Sequence, residues 1–348
     1  MPCAIRDRPL SLLNYTEKEG TMTRQKRNEQ FRNRLAIAAL LLIIALPVSG
    51  AGSAEDATGA HEFDTVRFVE VNWMDIAATT AAATLVLEGL GYATESTIVS
   101  VPIAYEGLSA ADADVFLGFW TPSMDGIANP FFERGTVENL GANLVGAKYT
   151  LAVPTYMAEA GITHIRDIAD HHDALNGTIH GIEAGNDGNM LIQAMIDDNA
   201  YGLGEFELLE SSEAGMLAEV RGRAPEEQWI VFLGWEPHPM NSRIEMTYLE
   251  GGDDYFGPDF GAAEVHTNVR AGLIEERPNL GRFLQNLRFT LDMENEIMVM
   301  MDDGAEPRDA ARRWLQQNPE IIGEWVEGVE TADGSDAIES VHRYLEIK

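Results

Sequence analysis

The chain has 348 residues, enough material for two domains with buried cores. Acidic residues outnumber basic ones by 57 to 24, giving a net charge of −33, while apolar residues make up 45% and aromatic residues 8% of the chain. That apolar content excludes a disordered acidic tail, and so negative a surface argues against nucleic-acid binding because it repels phosphate; a cationic ligand is compatible with it.

At the N-terminal end, Arg32 and Arg34 precede an apolar run from Leu35 to Val48, followed by small residues ending in Gly52, Ser53 and Ala54. This is the pattern of a secretory signal peptide cleaved near Ala54; the run is shorter than the ~20 apolar residues of a membrane span and contains Pro47. Residues 1–21 fit neither a leader nor a domain. Met22, followed by Thr-Arg-Gln-Lys-Arg, is the better start, and Lys18-Glu19-Gly20 can be encoded by a purine-rich ribosome-binding sequence. Cleavage leaves 16 basic and 53 acidic residues, a net charge of −37, with Lys148 and Lys348 the remaining lysines. A lysine-poor, carboxylate-rich surface suits high external salt, where repulsion is screened, and points to a halophilic or salt-tolerant source. The single cysteine, Cys3, lies upstream of the leader, so the mature chain is expected to have no disulfide, thiolate ligand or lipid-attachment cysteine. A free exported protein of this kind belongs in a periplasm.

Along the mature chain, short β-branched runs alternate with helical stretches. Strands are predicted at Val66 to Val71, Ser96 to Val101 and Val115 to Phe119, with a helix at Ile76 to Leu90 and a short one after Val101. The alternation resumes with strands at Tyr149 to Val153, Ile179 to Ile182, Glu207 to Leu209 and Ile230 to Leu233, and helices at Asn189 to Asp198 and Glu213 to Arg221. After Gly251-Gly252 the chain reads as mostly helical, with helices at Asn279 to Leu287, Met293 to Met301, Pro307 to Gln317, Pro319 to Val326 and Asp336 to Leu345. This predicts an α/β fold with largely parallel strands in two lobes and a helical tail. Ligands in such sheets sit at the carboxyl ends of the strands, so a cleft between lobes is the default site.

Nucleophile elbows, phosphate-binding loops, dinucleotide glycine fingerprints and zinc-protease motifs are absent from the sequence. His171, His172 and His180 read as non-ligands, and the sequon Asn176-Gly-Thr178 as a turn; no catalytic residue, metal or cofactor is expected. With 53 carboxylates, an acid pair carries almost no information about catalysis. The aromatics are more informative. Trp73, Trp120 and Trp235 each follow or end a predicted strand, in Val-Asn-Trp-Met-Asp, Leu-Gly-Phe-Trp-Thr-Pro and Phe-Leu-Gly-Trp-Glu-Pro, whereas Trp229, Trp314 and Trp325 sit within element patterns and read as packing. Aromatic faces converging on a cleft make a box for a quaternary ammonium, which has no N–H donors and is attracted by the ring quadrupole; each desolvated ring contributes ~1–2 kcal/mol.

At these residues the sequence resembles the periplasmic substrate-binding proteins of quaternary-amine (choline or glycine betaine) ABC importers, and within them the choline-binding proteins. The blocks that carry the resemblance are residues 73–80, 114–120, 146–152, 181–189 and 231–240, in order along nearly the whole mature chain. The resemblance implies a two-lobed type II periplasmic binding protein fold with crossovers near Gly146 and Gly251. Residues 55–146 with 252–348 then form one lobe and residues 147–251 the other. It further implies a cage of Trp73, Trp120, Tyr149 and Trp235, with Asp75 and Asn186 holding the ligand's polar end. Phe119 departs from the family pattern, in which a polar residue is usual.

The residues themselves leave alternatives at the polar end. Asp75 stands at a strand-to-helix junction, where it could cap the helix or accept a hydrogen bond from a ligand hydroxyl. Asn186 and Asp187 open the helix after Gly185, so one would cap it and the other face the cleft. The reading as a whole is a monomeric periplasmic component that binds choline and delivers it to an inner-membrane permease. The alternatives are glycine betaine or another quaternary amine as ligand, a sensor that presents ligand to a receptor, and a bilobal enzyme.

Overall fold

The computed structural model describes residues 62–347; the signal peptide, the start at Met22, the cleavage site near Ala54 and Cys3 lie outside the described residues. The chain enters through β1 (Val66–Glu70), α1 (Met74–Gly89), β2 (Thr94–Ile98), α2 (Val101–Ser109), β3 (Val115–Thr121) and α3 (Asp125–Glu133), with β1 parallel to both β2 and β3. It then runs through the long strand β4 (Val137–Pro154) into a second set: β5 (Thr178–His180), α4 (Asp187–Asp197), β6 (Glu207–Leu209), α5 (Glu213–Arg223) and β7 (Val231–Glu236). Here β5 is parallel to both β6 and β7, so the two sets repeat one wiring.

The sequence reading misses three strand segments. The first half of β4, the short strand β8 (Met246–Tyr248) and all of β9 (Ala262–Arg270) are strand where loop or helix was expected. The sheet order is β2-β1-β3-β9-β4-β7-β5-β6, with β8 alongside β4, and every pairing made by β4 and β9 is antiparallel. The expected largely parallel sheet is therefore mixed. The physical reason lies in composition: Val137 to Gly146 breaks its apolar residues with Asn139, Gly141, Asn143 and Gly146, and its extended form is held by long-range pairing with β9 rather than by local propensity. In β9, Ala263, Val265, Thr267 and Val269 alternate inward, but the run contains no large apolar residue to announce a strand. β4 changes partner at Lys148, which pairs with Ala262 of β9 on one side and Glu236 of β7 on the other.

After β9 the chain is helical as expected, including α6 (Pro278–Asn286), α7 (Leu291–Asp302), α8 (Pro307–Gln317) and α9 (Ala337–Leu345), the last capped by Asp336. Of these, α7, α8 and α9 pack around α1. The alanine-rich sequence of α1 both favours helix and gives it slim sides for several close neighbours, so nearly all of it is buried. On the sheet side, a Cβ on Gly118 would come within 2.7 Å of the Ile76 side chain, so this glycine in β3 lets the first turn of α1 sit directly on the sheet. That turn carries two of the residues expected at the site.

Trp325 and Trp314 are core residues as expected: Trp325 donates its indole N–H to the Arg288 carbonyl and Trp314 to Glu296. Trp229 is half-buried and packs edge-on against His171. His172 packs on Phe206, His180 is buried within β5, and Asn176 and Gly177 form a left-handed turn leading into that strand.

Candidate functional site

All six residues expected at the site line one cavity: Trp73, Asp75, Trp120, Tyr149, Asn186 and Trp235. Two more, Ile182 and Asp187, complete the lining. The elements explain the convergence. Trp73 is the N-cap residue of α1, while Trp120 and Trp235 are each the penultimate residue of a strand, β3 and β7. Tyr149 on β4 stands directly opposite Trp235 in the antiparallel ladder, which places both rings on one face of the sheet with centroids 6.4 Å apart. The Trp120 ring lies 5.7 Å from the Tyr149 ring, tilted by 46° to it. Phe119, one residue along β3, is not in the lining and packs edge-on against Phe132 and His266, so the departure from the family pattern falls away from the cavity.

The rings are fixed by acids and by packing. Trp73 donates its indole N–H to Glu183 at 2.8 Å, and Trp120 donates to Oδ2 of Asp75 at 3.1 Å. Trp235 is set by its neighbours, its ring 5.0 Å from that of His238. Tyr149 donates its hydroxyl to Oδ1 of Asn186 at 3.0 Å and is pressed by the first turn of α4: a Cβ on Gly188 would lie 2.2 Å from the Tyr149 hydroxyl. Only a glycine admits this approach.

Asp75 does not cap α1. Trp73 holds the N-cap position, and Asp75, in the first turn, is fully buried with Oδ1 lacking any partner. Burial pushes its carboxyl up to about 6, and the nearby Glu213 adds to the rise. Behind it, Glu213 accepts the backbone N–H of Met74 through Oε2 and meets Nε2 of His238 through Oε1, each at 3.2 Å. Because Nδ1 of His238 accepts the Met240 N–H, it is Nε2 that carries a proton and donates to Glu213. On the opposite wall Asn186 caps α4, its Oδ1 accepting from the Asn189 N–H at 3.1 Å while its Nδ2 donates to Oδ1 of Asp187. Asp187 is buried, its Oδ2 has no partner, and burial pushes its carboxyl up to about 6 as well. Burial likewise raises Glu183. The cavity thus presents four aromatic rings and two buried acids, each with one unpaired oxygen, and no basic residue lines it.

Sequence reasoning missed Ile182 as a lining residue and Glu183, Glu213 and His238 as supports, and left Asp187 open between helix cap and cleft. Ile182, Glu183 and Asp187 lie inside the block 181–189 and His238 inside 231–240, so the resemblance could have flagged them. Glu213 carried no signal, being one acid among many. Among the described residues no cluster of His, Cys, Asp and Glu could hold a metal ion.

The family described as the substrate-binding domain of the ABC-type glycine betaine transport system matches residues 64–317. An ABC-transporter choline-binding protein, solved in complex with choline, is 52% identical with a TM-score of 0.79, covering 81% of this chain and 98% of that one. The lactococcal protein OpuAC, in its closed form with glycine betaine, is 25% identical with a TM-score of 0.69, covering 76% and 99%. The glycine betaine/carnitine transport binding protein GbuC of Listeria monocytogenes is 32% identical over 167 residues, 48% of this chain and 55% of that protein. The fold is the two-lobed type II periplasmic binding protein fold that the resemblance implied.

Proposed function

The chain belongs to the substrate-binding domains of ABC-type glycine betaine transport systems, and we propose that within that family it binds choline in the periplasm and delivers it to a membrane permease. The observation that carries this reading is the makeup of the cavity wall: aromatic faces for a methylated ammonium, two acids with unpaired oxygens, and no basic group. A quaternary ammonium gains ~1–2 kcal/mol from each desolvated ring, and an ionised Asp75 both attracts the cation and accepts a hydrogen bond from a hydroxyl. Glycine betaine carries the same head but ends in a carboxylate, for which this wall offers repulsion in place of a cationic partner. The relative solved with choline supports the same choice.

In this reading Trp73, Trp120, Tyr149 and Trp235 surround the ammonium, and Asp75 takes the hydroxyl end beside Asn186. Residues 55–146 with 252–348 and residues 147–251 act as the two lobes. The partner change of β4 at Lys148 supports the first boundary, next to Gly146 with its positive φ of 83°. The protein is a binding component with no catalytic step, exported by the leader that ends near Ala54, and acts as a monomer that presents its closed form to the permease. Calorimetric titration with choline and glycine betaine tests the ligand assignment: choline is expected to bind with the higher affinity, and a preference for glycine betaine overturns it.

A further inference from the structure

On the wall made by α4, Asn186 has little left to offer a ligand as an acceptor. Both lone-pair sites of its Oδ1 are taken, one by the Tyr149 hydroxyl and one by the Asn189 N–H, and its Nδ2 already donates to Asp187. The open acceptor on that wall belongs to the next residue. Asp187 is 2% exposed, lines the cavity, and keeps Oδ2 without a partner at hydrogen-bond geometry, while the nearby Ser123 hydroxyl, which donates to the Trp120 carbonyl, favours its ionised form. It stands at the first position of an eleven-residue helix, so its Oδ1 is held by Asn186 and the free oxygen is fixed in place. A buried unpaired carboxyl oxygen is unfavourable in the empty protein and needs a compensating donor or cation.

We infer that Asp187 is a second ligand-facing acid, the counter-charge supplied from the α4 wall, and that it shares with Asp75 the exclusion of carboxylate-bearing ligands. The inference rests on the reading of the cavity as a cation cage and sharpens it. The two acids come from different parts of the chain, Asp75 from α1 and Asp187 from α4, so a ligand held between the walls meets an acid from each. A net-cationic quaternary amine is stabilised by both, and a zwitterion meets a repulsive charge on both. Removing one acid then narrows the preference for choline, and removing both narrows it further.

The test is calorimetry with choline chloride and glycine betaine on the wild-type protein, on Asp187→Asn, and on Asp187→Asn combined with Asp75→Asn. Asparagine keeps the size of the side chain and an oxygen for the bond from Asn186, and the apo melting temperature is recorded alongside. Asp187→Asn is expected to raise the choline Kd at least fivefold and to narrow the choline-over-betaine preference by a similar factor, with the double variant narrowing it more. A preference within twofold of wild type overturns the inference, including the case in which both ligands weaken together, since a helix-terminal role alone does not distinguish them. If Asp187→Asn does not fold, Asp187→Ser, whose hydroxyl can still accept from Asn186, is read by the same criterion. Failure of the wild-type protein to bind choline overturns the cation-cage reading itself, and is distinct from a wild-type protein that binds choline and a variant that binds it with unchanged preference.

Discussion

Trp120 donates its indole N–H to Oδ2 of Asp75 at 3.1 Å, so one bond both orients a ring of the cage and leaves the other carboxylate oxygen, Oδ1, buried and unpaired. The empty protein thus keeps an acceptor ready at the price of burying it without a partner. Asp75→Asn retains an oxygen for Trp120 but removes the charge. Choline should weaken by ~1.5 kcal/mol or more, about tenfold, because a charge-assisted hydrogen bond is lost, while glycine betaine should bind unchanged or more tightly. The apo melting temperature should hold or rise, since a buried ionisable group has been neutralised. Calorimetry with both ligands decides it. Equal losses for the two would mean that Asp75 acts only on the shared ammonium.

The same acids give binding and stability opposite dependences on pH. Asp75 and Asp187 are pushed up to about 6, against ~4 in an unfolded chain, so between those values the native state holds the extra protons. These two acids should therefore add stability to the empty protein as pH falls from 7.5 to 5, against the opposing contribution of His180, whose pKa burial lowers. Glu70, pushed up to about 7 by burial, and Glu294, raised well above the carboxylate range by burial with help from Asp75, act in the same direction. Choline needs the ionised acids, so its affinity should fall over the same interval and its binding should release protons. Melting curves of the empty protein and titrations at both pH values check the pair of signs; a choline Kd that is the same at pH 5 and 7.5 contradicts it.

Most of the cage was legible in the sequence because its rings stand at the ends of strands whose cores are strongly apolar, Val115 to Leu117 before Trp120 and Val231 to Leu233 before Trp235. Local pattern and family likeness there pointed to the same residues. The middle of the sheet was not legible. β9 and the first half of β4 are extended because they pair with each other, and a pairing between residues more than a hundred positions apart leaves little local trace. At the α4 terminus the sequence left Asn186 and Asp187 as alternatives for cap and cleft, and the structure makes Asn186 the cap while both residues line the cavity. The supports Glu183 and Glu213 could not be singled out in so acidic a chain, where only burial and a specific donor distinguish them.

The close approach of α4 to Tyr149 makes Gly188 a sensitive position. An added Cβ would lie 2.2 Å from the Tyr149 hydroxyl and 2.7 Å from the Leu233 side chain, so either the phenol or the first turn of the helix must move. Alanine is otherwise the better helix residue by ~1 kcal/mol. Gly188→Ala should therefore fold with its helix intact and bind choline at least fivefold more weakly. Far-ultraviolet circular dichroism with a choline titration measures both, and unchanged affinity would show that the ring and helix have room the packing does not suggest.

The three cage tryptophans should not respond alike to the loss of the indole N–H. Trp73 and Trp120 each satisfy an acid, Glu183 and Asp75, whereas Trp235 is set by ring packing against His238 and Tyr149. Changing any of them singly to Leu removes a π face and should weaken choline by ~0.5–2 kcal/mol. Phenylalanine separates the two roles, because it keeps a π face and removes only the donor. Trp235→Phe should then cost little in stability, while Trp73→Phe leaves the half-buried Glu183 short of a partner and Trp120→Phe strips Asp75 of its remaining hydrogen-bond donor from a side chain. Both should lower the apo melting temperature at pH 7.5 more than Trp235→Phe does, and part of that difference should disappear at pH 5, where protonation relieves an unpaired carboxylate. Trp325→Phe, in the core away from the cavity, is the control for affinity and should leave choline binding unchanged. Equal melting temperatures for the three cage Phe variants at both pH values would show that the indole bonds to Glu183 and Asp75 contribute nothing beyond ring packing.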